Sequence, residues 1–125
     1  MILGIGIDLV DIRRIERAHE RWGRRFLERV YNVSELENMP KGPRRWEYLA
    51  GRFAAKEAFL KALGTGIGQG IGLGDVWTVS EDSGRPIFCY SERLRSTLNL
   101  FGVEQAHLSI THESSLAIAM VVLEG

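Results

Sequence analysis

Residues 44–63 read RRWEYLAGRFAAKEAFLKAL, the stretch around which we expect the chain to pack. Pro43 stands where a helix begins and Gly64 where one ends, so the stretch predicts one helix from Arg44 to Leu63. Four large apolar side chains fall within about 60° of one another on a helical wheel: Trp46, Leu49, Phe53 and Leu60. Gly51 costs this helix about 1 kcal/mol relative to alanine unless close packing requires it. We expect a long helix whose apolar face packs on the rest of the chain.

Glu57 falls on the same face of this helix as the large apolar side chains. A carboxylate taken out of water without a cation is costly, and it tends to neutralise. Lys61, one turn further on, could form an ordinary helix-surface ion pair with it. A metal ion is the other candidate, and the spacing alone favours neither.

The residues before Asp8, ILGIGI over 2–7, predict a strand. Its alternation places Gly4, Gly6 and Asp8 on one face, where the glycines leave room for a ligand or another backbone. Asp8 is then either a polar strand end or helix cap, or a partner of Glu57 in a hard-cation site. Mg²⁺ is such a cation, since it often uses one or two carboxylates together with substrate phosphates.

Residues 12–30 predict a second helix with two unlike faces. Its apolar stripe consists of Ile12, Ile15, Trp22 and Phe26, which we expect in the core. An arginine ridge, made of Arg14, Arg17, Arg21 and Arg24, lies nearly opposite. Residues 13–29 hold seven arginines and three glutamates, a local charge of +4. Such asymmetry suggests an acidic partner, and the alternative is a solvated charged face.

The remaining segments are shorter. Residues 32–43 predict a loop with a short helical turn, and the alternate glycines from Gly64 to Gly74 predict a mobile loop or an irregular edge strand. That run could approach phosphates, although it contains no standard nucleotide-binding motif. We expect strands over 76–79 and 85–90, a helix over 91–101, and a hairpin of strands 107–111 and 116–123 with His112 at its turn.

The composition indicates one globular domain over residues 1–125 and excludes several classes of protein. The chain is 45% hydrophobic and 26% charged with a net charge of zero, which argues against disorder and against a nucleic-acid-coating protein. The single cysteine, Cys89, and the lack of a signal-peptide pattern point to the cytoplasm. The apolar run from Leu116 to Leu123 is too short to span a membrane.

Three segments resemble, in order, the motifs of the holo-[acyl-carrier-protein] synthase family, the small type of 4'-phosphopantetheinyl transferase. They are GIGIDLV at 4–10, LAGRFAAKEAFLKALGTG at 49–66, and LSITH at 108–112 followed by AIA at 117–119. The resemblance runs over the whole chain, and its central segment is long and specific.

This resemblance implies an α+β protein with the 4'-phosphopantetheinyl transferase fold, in which a small antiparallel sheet packs on a long helix. It also implies a homotrimer that binds coenzyme A between neighbouring subunits. The implied reaction moves the 4'-phosphopantetheine arm of coenzyme A onto a serine of an apo acyl carrier protein and releases adenosine 3',5'-bisphosphate. The implied ion is Mg²⁺, held by Asp8 and Glu57, with Lys61 as a third catalytic group.

The resemblance also implies the binding residues. Coenzyme A would meet Arg44, Arg52, Lys61, Gly64, Thr65, Gly66 and His112. The acidic carrier protein would dock on Arg14, Arg21 and Arg24. Either Glu57 or a metal-bound water would take the serine proton.

Two other functions remain as alternatives. A metal-dependent nuclease could use Asp8 and Glu57, but the zero net charge counts against it. A non-catalytic carrier-protein-binding module could keep the arginine ridge, but the presence of Asp8, Glu57 and Lys61 together counts against that.

Overall fold

The computed structural model describes residues 1–64 and 70–125, which form helices and two small antiparallel sheets. The elements are β1 (Ile2–Asp11), α1 (Ile12–Trp22), α2 (Arg24–Val30), α3 (Val33–Glu37), α4 (Arg44–Leu63), a 3₁₀ turn (Leu73–Asp75), β2 (Val76–Ser80), β3 (Pro86–Tyr90), α5 (Glu92–Leu100), β4 (Gln105–Glu113) and β5 (Leu116–Glu124). The predicted α+β class is confirmed. Among the described helices, none combines the length and the apolar composition that crossing a bilayer requires.

Two antiparallel sheets surround α4. One has the strand order β1-β5-β4, and the other pairs β2 with β3. The helix packs mainly on β1 and β5, and the buried apolar side chains form one cluster around it. The helix bounds agree with the sequence prediction, because the signals at Pro43 and Gly64 are strong. Gly64 adopts φ 80°, the left-handed conformation that ends a helix.

Strand β1 meets α4 backbone to backbone. A Cβ added to Gly4 would overlap the carbonyl oxygen of Ala62, and one added to Gly6 would overlap that of Ala58. Another backbone, rather than a ligand, therefore fills the space left by these two glycines. Close packing also explains the glycine at position 51, since a Cβ there would lie 3.1 Å from the Ile110 side chain on β4.

The fully buried charge on α4 is Lys56 rather than its neighbour Glu57. The Lys56 Nζ atom lies 2.8 Å from Glu35 Oε1, and both side chains are completely buried. It also donates hydrogen bonds to the carbonyl oxygens of Leu73 (3.1 Å) and Val76 (2.6 Å). Burial lowers the pKa of Lys56, while the Glu35 carboxylate acts in the opposite direction. We did not predict this pair from the sequence.

Glu35 connects the pair to two further elements. Its Oε1 atom accepts a hydrogen bond from the backbone of Asn32, the cap of α3, at 3.0 Å. Its Oε2 atom accepts one from the backbone of Thr78 on β2 at 3.1 Å. One buried carboxylate therefore joins α3 and β2 to α4 through Lys56.

The predicted helix over 12–30 is wrong at its centre. It breaks at Gly23, whose φ of 64° divides it into α1 and α2. The predicted core stripe breaks with it. Ile15 is buried, but Trp22 is 58% exposed and Phe26 is only half-buried. The break at Gly23 places Phe26 in a separate helix, whereas Trp22 is the exposed last residue of α1.

Other boundaries also differ from the prediction. β1 continues to Asp11, so Asp8 lies inside the strand opposite Ala119, and Asp11 caps α1. β4 continues to Glu113, so His112 lies in the strand opposite Ala117 rather than at the turn. The described end of the glycine run forms a 3₁₀ turn, while residues 65–69 lie outside the described residues. The predicted short helical turn is α3.

We expect Gly6→Ala to lower the free energy of unfolding by about 3 kcal/mol or more, because the new methyl group would collide with the α4 backbone. Gly74→Ala is the matched control, since its Cβ would meet only the Arg29 carbonyl oxygen at an ordinary 3.9 Å. Urea unfolding of both variants measures the difference. Equal, small effects would show that β1 does not need the glycine.

Candidate active site

Asp8 and Lys61 form the first contact of the candidate site. Asp8 shares the α4-facing side of β1 with Gly4 and Gly6. The Lys61 Nζ atom lies 3.0 Å from Asp8 Oδ1 and donates a second hydrogen bond to the Ile7 carbonyl oxygen at 3.1 Å. The Asp8 side chain is 15% exposed, whereas that of Lys61 is 55% exposed. Lys61, which the sequence predicted as a possible ion-pair partner of Glu57, therefore pairs with Asp8 instead.

Glu57 lies half-buried beside this pair. Burial raises the pKa of Glu57 above its usual range, and the nearby Asp8 carboxylate raises it further. The charges of Lys61 and Arg14 act in the opposite direction without cancelling the shift. Within residues 1–64 and 70–125, no ion pair to Glu57 is present. The two carboxylates thus share a site that one additional cation would stabilise.

The donor set of this site fits a hard divalent cation. Asp8 and Glu57 supply carboxylate oxygens, which such ions prefer. In the described part of the chain, no three side chains of His, Cys, Asp or Glu converge on one point. A metal ion held here would therefore complete its coordination with water and with oxygens of a substrate. This is the usual situation of Mg²⁺ at phosphate groups.

Arg14 lies at the edge of the same site. Its guanidinium carbon is 5.6 Å from the centre of the Phe53 ring, and its charge lowers the pKa of Glu57. The other two arginines that we expected to bind a partner lie further away. Arg21 stacks on Trp22 at 5.0 Å, and Arg24 forms an exposed 2.9 Å ion pair with Glu28. The ridge thus spans two helices.

Trp22, which we expected in the core, is exposed and adds an apolar side chain to the arginine ridge. Trp22 and Phe26 line an open cavity of about 580 Å³ together with Arg25 and Arg29. An aromatic wall edged by arginines suits a partner that presents both apolar and acidic groups. The available sequence signal was Gly23, because a helix that ends there makes Trp22 its last residue.

A second cluster contains three of the predicted binding residues: Arg44, Arg52 and His112. They line one small cavity of about 160 Å³ together with Glu47, Tyr48 and Gly51. The guanidinium carbon of Arg52 is 4.2 Å from the centre of the Tyr48 ring, while its Nε atom is buried without a hydrogen-bond partner. A buried donor of this kind fits an anionic ligand.

Glu47 is the acidic member of the second cluster, and it was not among the predicted site residues. Its Oε1 atom is 3.7 Å from Arg44 Nε, and its Oε2 atom is 3.4 Å from His112 Nδ1. The available signal was its position three residues after Arg44 on the predicted helix. Its contact with His112 could not be read from the sequence, since His112 belongs to a distant strand.

The two clusters lie on different sides of α4. Arg44 and Arg52 are each about 140° around the helix axis from Glu57. The carboxylates and the cationic cavity therefore face different surroundings within one chain.

Gly64 lies at the end of α4, one turn beyond Lys61. Its N–H already bonds to the carbonyl oxygens of Leu60 (3.0 Å) and Lys61 (3.1 Å). A ligand could therefore approach the backbone closely at Gly64, but it would find no free N–H group there. Thr65 and Gly66, which we predicted as binding residues, lie outside the described residues.

Comparisons with known proteins agree with one another. The model of the 4'-phosphopantetheinyl transferase superfamily matches residues 4–121. A holo-[acyl-carrier-protein] synthase of Desulfovibrio desulfuricans is 46% identical over 126 residues, which cover 100% of this chain and 99% of the relative.

Two solved structures are also similar. The synthase of Neisseria meningitidis has a TM-score of 0.93 at 38% identity, with 100% of both chains covered. The synthase of Bacillus anthracis in complex with CoA (3',5'-ADP) has a TM-score of 0.82 at 40% identity, covering 98% of this chain and 96% of that one.

We expect Asp8→Asn to lower the pKa of Glu57, because it removes the neighbouring negative charge while the effect of burial remains. Carbon-13 NMR titration of the Glu57 carboxyl carbon in metal-free buffer measures this. Asp11→Asn is the control, since Asp11 pairs with Arg13 at 3.2 Å and does not act on Glu57. An unchanged pKa of Glu57 in the Asp8 variant would contradict the proximity of the two carboxylates.

Proposed function

The chain belongs to the 4'-phosphopantetheinyl transferase superfamily, and we propose that it transfers the 4'-phosphopantetheine arm of coenzyme A to a serine of an apo acyl carrier protein. Adenosine 3',5'-bisphosphate is the second product. The observation that carries the proposal is the pair of neighbouring carboxylates, Asp8 and Glu57, with Lys61 beside them. This arrangement suits a reaction at a pyrophosphate, where positioning and charge neutralisation provide most of the catalysis.

In the proposed mechanism, Asp8 and Glu57 hold Mg²⁺. When bound, this ion neutralises the pyrophosphate oxygens and the developing charge of the leaving group. The ammonium group of Lys61, which is exposed and already beside Asp8, provides a second positive charge at those oxygens. Half-burial of Glu57 strengthens these interactions by reducing competition from water.

The chemical step exchanges one phosphorus–oxygen bond for another. The serine Oγ atom attacks the phosphorus next to the pantetheine arm, and the bond from this phosphorus to the bridging oxygen breaks. The bridging oxygen leaves on the adenosine 3',5'-bisphosphate. The serine proton goes to Glu57 or to a water beside it, and both groups lie at the attacking side in this scheme.

The second cluster suits the adenosine end of coenzyme A. Arg44, Arg52 and His112 provide positive or hydrogen-bonding groups for the 3'-phosphate, and the unpartnered Nε of Arg52 supports an anion there. Gly64, at the end of α4, would line the path between the two ends.

A homotrimer would bring the two clusters together on one ligand. They lie on different sides of α4 within one chain, so we place the carboxylates of one subunit opposite the cationic cavity of its neighbour. The outward face of the β1-β5-β4 sheet supports such an assembly, because it exposes an apolar patch. Ile5, Ile7, Leu9 and Met120, which are 47–62% exposed, form this patch.

The carrier protein would dock beside the carboxylates. The ridge residues Arg14, Arg21 and Arg24 are exposed, and Arg14 reaches the edge of the site. Opposite charges at such a rim raise the association rate and make it dependent on salt. The exposed ring of Trp22 offers the carrier protein an apolar contact beside these arginines.

The first test is the intact mass of an apo acyl carrier protein after incubation with this protein, coenzyme A and Mg²⁺. We expect a gain of one phosphopantetheine, no gain with EDTA, and a rate about a hundredfold or more lower for Glu57→Gln. Glu37→Gln, at an exposed position on α3, is the matched control. A Glu57→Gln variant with full activity would remove Glu57 from the mechanism.

The assembly is tested by Ile7→Glu, which puts a charge in the centre of the apolar patch. We expect a trimer for the unchanged protein and monomers for this variant, measured by light scattering after size-exclusion chromatography. Ile87→Glu is the control, because Ile87 is an exposed isoleucine of the other sheet. If the Ile7 variant keeps the mass of the unchanged protein, the patch is not the interface.

Docking is tested by Arg21→Ala. We expect the KM for the carrier protein to rise several-fold at low salt, with kcat and the KM for coenzyme A unchanged. The difference should shrink at high salt. Arg85→Ala, an exposed arginine of the β2–β3 turn, should leave all three values unchanged. An equal response of both variants would argue against a specific ridge.

A further inference from the structure

A carboxylate of the chain itself lies in the cationic cavity of the second cluster. Glu47 approaches Arg44 Nε at 3.7 Å with one oxygen and His112 Nδ1 at 3.4 Å with the other. These oxygens lie where an anionic ligand of Arg44 and His112 would place its own. Arg52 lines the same cavity.

Stability alone does not account for this arrangement. The Arg44 side chain is 82% exposed and that of His112 51% exposed, and ion pairs in such surroundings contribute little to folding. Neither contact is short enough for a good hydrogen bond. A carboxylate in the first turn of α4 suits the helix dipole, but that interaction does not require it to face Arg44 and His112.

We propose that Glu47 is an internal counter-ion of this cavity, which a ligand phosphate must displace or tolerate. The inference rests on the proposed function, in which the cavity receives the 3'-phosphate of coenzyme A. Glu47 then weakens the binding of every ligand that carries this phosphate, and it neutralises Arg44 again when the ligand leaves.

The reaction gives such a residue a use. The 3'-phosphate takes no part in bond making or breaking, and it is present in coenzyme A and in the bisphosphate product alike. Its binding energy is therefore uniform along the reaction and does not lower the chemical barrier. Very tight binding of this phosphate would instead retain the product, and product release limits turnover in many enzymes. An internal carboxylate reduces this retention.

The variant Glu47→Gln tests the proposal, because it removes the charge and keeps the shape. At the distances of this cavity, removal of a like charge near a surface phosphate corresponds to about a three- to tenfold change in affinity. We expect the Kd of adenosine 3',5'-bisphosphate and of coenzyme A to fall by this factor, measured by isothermal titration calorimetry with Mg²⁺. The Kd of 3'-dephospho-coenzyme A, which lacks the phosphate, should not change.

Turnover provides an independent readout. Glu47→Gln should be inhibited more strongly by added adenosine 3',5'-bisphosphate than the unchanged protein is. Glu81→Gln, in the exposed β2–β3 turn, is the control and should behave as the unchanged protein. If the role of Glu47 were purely structural, Glu47→Gln would change the affinities for the bisphosphate, coenzyme A and 3'-dephospho-coenzyme A alike.

The outcomes separate this inference from the proposed function. If both proteins bind coenzyme A but Glu47→Gln binds the bisphosphate equally or more weakly, the inference is overturned and the proposed function stands. An equal gain for 3'-dephospho-coenzyme A also overturns it. If neither protein binds coenzyme A, the proposed function and the inference fall together.

Discussion

The backbone of β1 lies directly on the backbone of α4, and the candidate site depends on this contact. It is possible only because Gly4 and Gly6 carry no side chain where Ala58 and Ala62 pass. The same face of the strand next presents Asp8, which therefore reaches the turn of α4 that carries Lys61 and Glu57. A larger separation would leave the two carboxylates too far apart to share one cation. Gly4 and Gly6 thus determine where Asp8, four and two residues further along the chain, can act.

The other sides of α4 have their own constraints. Lys56 and Glu35 form a fully buried pair that ties α3, the 3₁₀ turn and β2 to the helix. Removing two charges from water is costly, so such a pair contributes geometric definition more than net stability. On a further side, Gly51 lets β4 approach closely and brings His112 towards Arg44. One helix thereby positions a carboxylate pair and a cationic cavity on separate faces, and one ligand would contact both only in the proposed trimer.

The sequence predicted the parts of the structure that local rules determine. The bounds of α4 follow from Pro43 and Gly64, and the grouping of Glu57 with the apolar face follows from helical periodicity. Long-range contacts could not be derived in this way. Lys61 pairs with Asp8, and Lys56 with Glu35, because distant segments meet. The predicted stripe was continued through Gly23, whose positive φ ends α1, so Phe26 lies in a separate helix and Trp22 is an exposed helix end. The roles of Arg44, Arg52 and His112 came from family resemblance, and their common cavity became visible only in three dimensions.

We propose that Glu57 of one subunit and Arg52 of its neighbour serve the same coenzyme A. The activity of mixed trimers tests this directly; they are assembled from Glu57→Gln and Arg52→Ala subunits, co-expressed with different tags and purified on both. A mixed trimer has one interface in three where both residues are intact, so the account predicts about one-third of full activity, although each parent variant has little. If the mixed trimers are no more active than the parent variants, both residues act within one chain and the account is contradicted.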